Sequence, residues 1–247
     1  MPGTVRPGAA LRFPVPAGQY DRAMKGPGLD ALALAAPDVA AGETLLQEVA
    51  WRDGALAASA KALIAAAVAA SKGHEALMRE LLERARQAGA AGGEAWGAAG
   101  ILPTSRGVGV AARFADAVLA VFGPPEPGSA ALRPEADEAT AYFVEYYGEL
   151  PPRIAFLAES APAAYPAFYL LHRGSLRSPG LDPKIRELIL CAVNAADLAP
   201  QLMRTHAIAA RGIGATHAEI VEGIVAVLPV AGLAVWSAVA DTLAALE

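Results

Sequence analysis

The feature that most constrains this chain is an internal repeat. Lys61-Ala62-Leu63-Ile64 aligns with Arg186-Glu187-Leu188-Ile189 at an offset of 125 residues, and the register continues without a gap. Leu77-Met78-Arg79 matches Leu202-Met203-Arg204, Ala85-Arg86 matches Ala210-Arg211, and Gly89-Ala90 matches Gly214-Ala215. Glu94/Glu219, Gly107/Gly232 and Asp116/Asp241 extend the same register. Alanine matches count for little, because about a quarter of the residues are alanine; the Leu-Met-Arg triplet and the Arg-x-x-Gly-Ala group are not explained by composition. Two fused copies of one unit are expected to pack as a pseudo-dimer about an approximate twofold axis.

Alanine is the best helix former and is depleted in strands. With 55% hydrophobic and 18% charged residues, the chain is not disordered, and an all-α fold is expected. Local signals agree. Asp182-Pro183 offers an N-cap with proline at the first helical position, predicting a helix to about Ala196. A second is predicted to run through Leu202 and His206 to about Arg211, where Gly212 and Gly214 supply C-cap residues. Thr216-His217-Ala218-Glu219 fits a capping box that starts a third, ended by Pro229, and a fourth follows from about Leu233 to Leu246. Upstream stretches at Leu29–Val49, Asp137–Tyr147 and Pro162–His172 also read as helical. The repeats are placed at 18–122 and 137–247, with a linker at 123–136 that opens on the Pro/Gly-rich run Gly123–Gly128.

Charge and cysteine content exclude several functions. Twenty Lys+Arg against 25 Asp+Glu, with no basic block, give no electrostatic reason to bind nucleic acid or an anionic membrane. The single Cys191 excludes an intrachain disulfide, a Cys-x-x-Cys pair and a multi-cysteine zinc site. No phosphate loop, nucleophile elbow or His-Glu-x-x-His motif appears, so no metal or cofactor is expected. Met1–Pro7 contains no apolar signal core, which makes a cytoplasmic protein the expectation. Gly223–Ala240 is uncharged, yet Pro229 and Gly232 interrupt it, and its counterpart in the first copy carries Arg106 and Arg113. Buried helices, not a membrane span, are expected there.

One pair of residues stands out for chemistry. Glu187 and His206 lie on consecutive predicted helices, equidistant from the break near Ala196–Asp197. If the helices fold back on each other, the two side chains reach the same height. A carboxylate bonded to one imidazole nitrogen leaves the other free for proton transfer. The first copy has Ala62 and Leu81 at these positions, so the fold itself does not need the pair. From spacing alone, a surface glutamate and a core histidine remain open. Cys191 and Asn194 follow Glu187 on the same helix face, as a packed thiol and as a substrate hydrogen-bonding group or backbone cap. Tyr142, Phe143, Tyr146 and Tyr147, then Tyr165, Phe168, Tyr169 and His172, form stripes that suit either core packing or an aromatic wall, with His172 as a further proton donor.

Arg186-Glu187-Leu188-Ile189, His206, Gly214-Ala215-Thr216 and Glu219-Ile220 together resemble the carboxymuconolactone decarboxylase/alkylhydroperoxidase-D family. The resemblance covers about Ala161–Leu246 and, more faintly, Leu29–Phe122. It implies that Glu187 and His206 belong to an active site. In the peroxidase branch a Cys-x-x-Cys pair precedes that histidine, but the matching residues here are Ala199 and Leu202. The decarboxylase branch is the better match: a lyase that acts on a small lactone or carboxylic acid by proton transfer, with Arg173 or Arg204 as candidates for the substrate carboxylate. The alternatives are a helical scaffold or small-molecule binding protein, and a residual alkylhydroperoxidase-like activity.

The resemblance also implies a ring of subunits, which for two-repeat chains means a homo-oligomer, a trimer. Light scattering at micromolar concentration is expected to give about three times the chain mass of 25.2 kDa; a monodisperse monomer would contradict it.

Overall fold

The computed structural model describes residues 27–128 and 134–246. The leader reading of Met1–Pro7, residues 18–26 of the first repeat, residues 129–133 of the linker and Glu247 lie outside the described residues. Within them every regular element is helical. The first half comprises α1 (Pro27–Ala35), α2 (Pro37–Ala50), α3 (Ala58–Lys72), α4 (Glu75–Gln87), α5 (Gly92–Arg106) and α6 (Val108–Phe122). After α7 (Ala136–Tyr147) come α8 (Pro152–Ser160), α9 (Tyr165–Leu176), α10 (Pro183–Ala196) and α11 (Pro200–Gly212). The chain closes with α12 (His217–Val225), α13 (Leu228–Ala231) and α14 (Ala234–Ala244).

The 125-residue register is a register of helices. Shifted by that amount, α1 and α4 coincide with α8 and α11, α3 matches α10 to within one residue, and α5 spans α12 plus α13. The left-handed backbone positions repeat as well. Gly89 and Gly107 (φ 96° and 79°) correspond to Gly214 and Gly232 (94° and 85°), and Gly73 (77°) corresponds to Leu198 (58°). Each copy also starts its third core helix with the same cap: Glu94 accepts from the Ala91 N–H and Glu219 from the Thr216 N–H, both at 2.7 Å. Thr216 returns the bond to the Glu219 N–H, completing the predicted capping box.

In each copy a helical hairpin, α3 with α4 or α10 with α11, supplies the core, and α3 and α10 pack on each other between the hairpins. The upstream helices are exchanged: α2 packs on α13 of the second copy, and α9 on α5 of the first. Lys72 and Asp197, themselves 125 residues apart, form an ion pair at 3.0 Å. Repeat-related positions can meet only beside the pseudo-twofold axis, so this bridge marks it, and Arg106 joins Asp197 at 2.8 Å.

Three details differ from the sequence expectations. Leu29–Val49 is two helices, broken at Ala36-Pro37, because proline cannot continue the preceding helix. The expected third helix of the second copy ends at Val225, not at Pro229, which sits in the first turn of α13, where a missing N–H leaves nothing unsatisfied. A separate helix, α8, precedes the Pro162–His172 stretch, and α9 itself begins only at Tyr165. Among the described residues no helix is long and apolar enough to cross a membrane.

Leu198 is the only non-glycine residue with positive φ among the described residues, and its side chain is exposed. Left-handed backbone costs a side-chain-bearing residue about 1–2 kcal/mol, against about 0.5–1 kcal/mol for the extra chain entropy of glycine. Leu198→Gly is therefore expected to stabilise the fold by up to about 1 kcal/mol, read as a higher urea midpoint. A lower midpoint would show that Leu198 contributes packing its exposure conceals.

Candidate active site

The site begins at the N-terminus of α10. Asp182 caps that helix, accepting from the Lys184 N–H at 2.7 Å, and Pro183 occupies its first turn. From Glu187 to Ala196 every residue of α10 is buried. A carboxylate at the start of that run must find partners, because an unpaired buried charge is very costly. Glu187 finds two. Its Oε2 accepts from Nδ1 of His206 on α11 at 3.0 Å, and its Oε1 lies 3.4 Å from Nε of Arg186. Arg186 is itself held by a bond from Nη1 to the carbonyl of Leu176.

The Glu187 side chain is only 5% exposed, whereas His206 is 28% exposed. His206 Nε2 makes no hydrogen bond to the protein among the described residues. A ring fixed through Nδ1, with Nε2 free at a partly open surface, is arranged to carry a proton in and out. In the first copy the counterparts Ala62 and Leu81 are fully buried core residues.

The aromatic stripe of α7 and α9 lies within electrostatic reach of this pair, since Glu187 acts on both Tyr146 and His172. His172 lies between two phenols, with Nδ1 3.0 Å from the Tyr142 hydroxyl and Nε2 3.1 Å from that of Tyr147. Burial, helped by Arg153, holds its pKa below the usual histidine value, although Glu187 pulls the other way. The ring is neutral at pH 7, donating to one phenol and accepting from the other. Burial and the neighbouring Tyr146 push the Tyr142 phenol up to about 12. The Tyr146 phenol is also raised, by burial and then by the field of Glu187. A cavity of about 380 Å³ opens here, lined by Tyr142, Glu145, Tyr146, Leu176, Arg177 and Arg186. It approaches the Glu187–His206 pair through Arg186 and Tyr146; neither member of the pair lines it directly.

The other sequence candidates are more dispersed. Cys191 is buried, and burial together with Glu187 pushes its thiol up to about 12. It remains a protonated thiol packed as a small apolar group. Asn194 turns back on its own helix, donating to the Leu190 carbonyl at 2.7 Å and accepting from Arg106 at 3.4 Å across the repeat interface. Arg204 is exposed on α11. Arg173 is engaged with the Tyr169 hydroxyl at 2.9 Å and Glu138 at 3.6 Å. Arg177 and Arg186, to which the sequence reading gave no role, line the cavity. Arg186 stands in the quoted motif, but nothing in its spacing says that its side chain turns into a cavity. Among the described residues no cluster of three His, Cys, Asp or Glu side chains is placed to hold a metal ion.

Residues 162–245 match the model of the Carboxymuconolactone decarboxylase family. A crystal structure from Burkholderia xenovorans LB400, provisionally described as a gamma-carboxymuconolactone decarboxylase subunit, is 26% identical, with a TM-score of 0.60. The match covers 90% of this chain and 91% of that one, so both repeats take part. No curated protein matches the chain.

With its one thiol buried and protonated, the chain is expected to reduce alkyl hydroperoxides with a dithiol reductant no faster than background, and Cys191→Ser to behave identically. Peroxide turnover that disappears in Cys191→Ser would show the thiol to be accessible to substrate.

Proposed function

We propose that this chain is a cofactor-independent decarboxylating lyase for a small lactone acid, with His206 as the proton donor and Glu187 as the residue that orients it. The observation that carries the reading is the 3.0 Å bond between His206 Nδ1 and Glu187 Oε2, in a copy whose twin has Ala62 and Leu81 there. A duplicated fold that stays packed without the pair retains it in one copy for chemistry. The match of residues 162–245 to the family model and the likeness to the Burkholderia structure support the reaction class.

The reaction is one of electron and proton placement. As the bond to the departing carboxylate breaks, its electron pair moves into the unsaturated lactone and carbon dioxide leaves. The delocalised anion is then quenched at carbon by a proton from His206 Nε2. Glu187 holds the ring through Nδ1 and balances its charge while it is doubly protonated; solvent at the open edge returns the proton afterwards. Burial around Glu187 keeps the carboxylate from competing for bulk water. The chemistry needs no thiol, which suits a chain with Ala199 and Leu202 where the peroxidase branch has its cysteine pair.

The test is carbon dioxide release from gamma-carboxymuconolactone. His206→Ala and Glu187→Gln are each expected to lower turnover about 10- to 1,000-fold, and the double variant little further, because the two act as a unit. Wild-type turnover in His206→Ala would overturn the assignment of the proton donor.

A further inference from the structure

The two copies treat one cationic position in opposite ways. In the first, Lys61 is buried, with its side chain 3% exposed, and is neutralised by Glu222 of the second copy at 2.9 Å. The same carboxylate accepts from the N–H groups of Ala55 and Leu56, also at 2.9 Å. Shifted by 125 residues, Lys61 becomes Arg186, but Glu222 becomes Gly97. No acid could be accommodated there, because a Cβ on Gly97 would lie 2.5 Å from the Leu181 Cβ and 3.1 Å from the Pro179 carbonyl oxygen. The second copy has kept the cation and closed the place of its structural counter-ion.

Arg186 is correspondingly under-committed. Nη1 serves the Leu176 carbonyl and Nε faces Glu187, which leaves Nη2 without a partner among the described residues. Arg186 lines the cavity of about 380 Å³, and so does Arg177, which makes no ion pair among the described residues. The wall is formed by the rings of Tyr142 and Tyr146, stacked at 6.1 Å with an interplanar angle of 15°. Glu145 is the one acidic residue of the lining, against two guanidinium groups.

We propose that this cavity is a carboxylate-binding subsite in which Arg186 and Arg177 hold an anionic group of a small organic acid against the tyrosine wall. A guanidinium is a planar fork of donors suited to bidentate recognition of a carboxylate. The identity of the bound group follows from transition-state logic, and here the inference rests on the decarboxylase reading. An arginine gripping the carboxylate that departs would stabilise the ground state more than a transition state from which that charge is leaving. The pair therefore grips an oxygen anion that persists through the reaction. Arg173 and Arg204, the arginines favoured by sequence, are respectively tied to Tyr169 and Glu138 and exposed on α11.

Isothermal titration of the full chain with glutarate, a dicarboxylate with nothing to lose, tests the subsite apart from catalysis. Wild-type protein is expected to bind glutarate and not dimethyl glutarate. Arg177→Gln and Arg186→Gln should each weaken binding at least about tenfold. Arg52→Gln, at the repeat-related position of Arg177, should leave it unchanged. Arg177 is exposed, so its variant decides the matter if Arg186→Gln fails to fold. Absence of glutarate binding, equal binding of the diester, or wild-type affinity in Arg177→Gln would overturn the proposal. Arginine-dependent glutarate binding together with full turnover in His206→Ala would leave the subsite standing and remove the proton donor. Loss of turnover in His206→Ala with arginine-independent binding would do the reverse.

Discussion

The contact between α3 and α10 at the centre of the molecule sets the terms for everything else. Each of these helices is buried for ten consecutive residues, Lys61–Ala70 and Glu187–Ala196, so neither has a solvent face. A helix enclosed on all sides must be apolar all round, and the chain meets this largely with alanine, including Ala65, Ala66, Ala67 and Ala69 in one and Ala192 and Ala195 in the other, all fully buried. Small side chains let neighbouring helices approach closely, and dispersion over many short contacts replaces the bulk of larger residues. Larger side chains along this seam would overpack it at about 1–3 kcal/mol each.

In such an enclosure every polar group must be accounted for, and the few that occur mark where the two copies have diverged. Lys61 is satisfied by Glu222, whose carboxylate also fastens the loop before α3 through two backbone N–H groups. That cluster is structural: its members are all committed to one another. At the repeat-related place, Arg186 and Glu187 sit at the mouth of α10 with partners that leave capacity over, in Nη2 of the arginine and Nε2 of His206. The first copy thus closes its polar site and the second leaves its own open beside an aromatic-walled cavity. Gly97 makes that difference irreversible by single substitution, since its Cβ space belongs to Leu181.

The exchange of α2 and α9 between copies adds a second consequence. Because α9 rests on α5 of the first copy, the aromatic stripe that walls the cavity is positioned partly by a helix from the other repeat. Thr104 of α5 donates to the Leu171 carbonyl of α9 at 3.0 Å, and Ser178 just beyond α9 donates to the Gly97 carbonyl at 3.0 Å. The first copy, although it has Ala62 and Leu81 in place of the reactive pair, therefore helps to hold the site that the second copy furnishes.

Most of the fold was legible before any coordinates. The 125-residue register, the helix starts at Pro183 and Thr216 and the glycine stops are local or periodic signals, and they correspond to local backbone energetics that tertiary packing has no reason to override. The Glu187–His206 pair was legible for a related reason: two positions equidistant from a helix break meet if the hairpin closes, and in so alanine-rich a hairpin nothing obstructs closure. Pro229 was misread because a proline stops a helix or starts one according to which carbonyls lie before it, and only the fold places the break at Ala226–Val227. The exchange of α2 and α9 was not legible, nor was the turning of Arg186 and Arg177 into a shared cavity. The sequence by itself determined what is repeated, helical and buried, because those properties are carried by neighbours in the chain. Only the tertiary structure decided which cation is fully committed and which keeps a free donor, because that depends on whether a residue more than eighty positions away is a glutamate or a glycine.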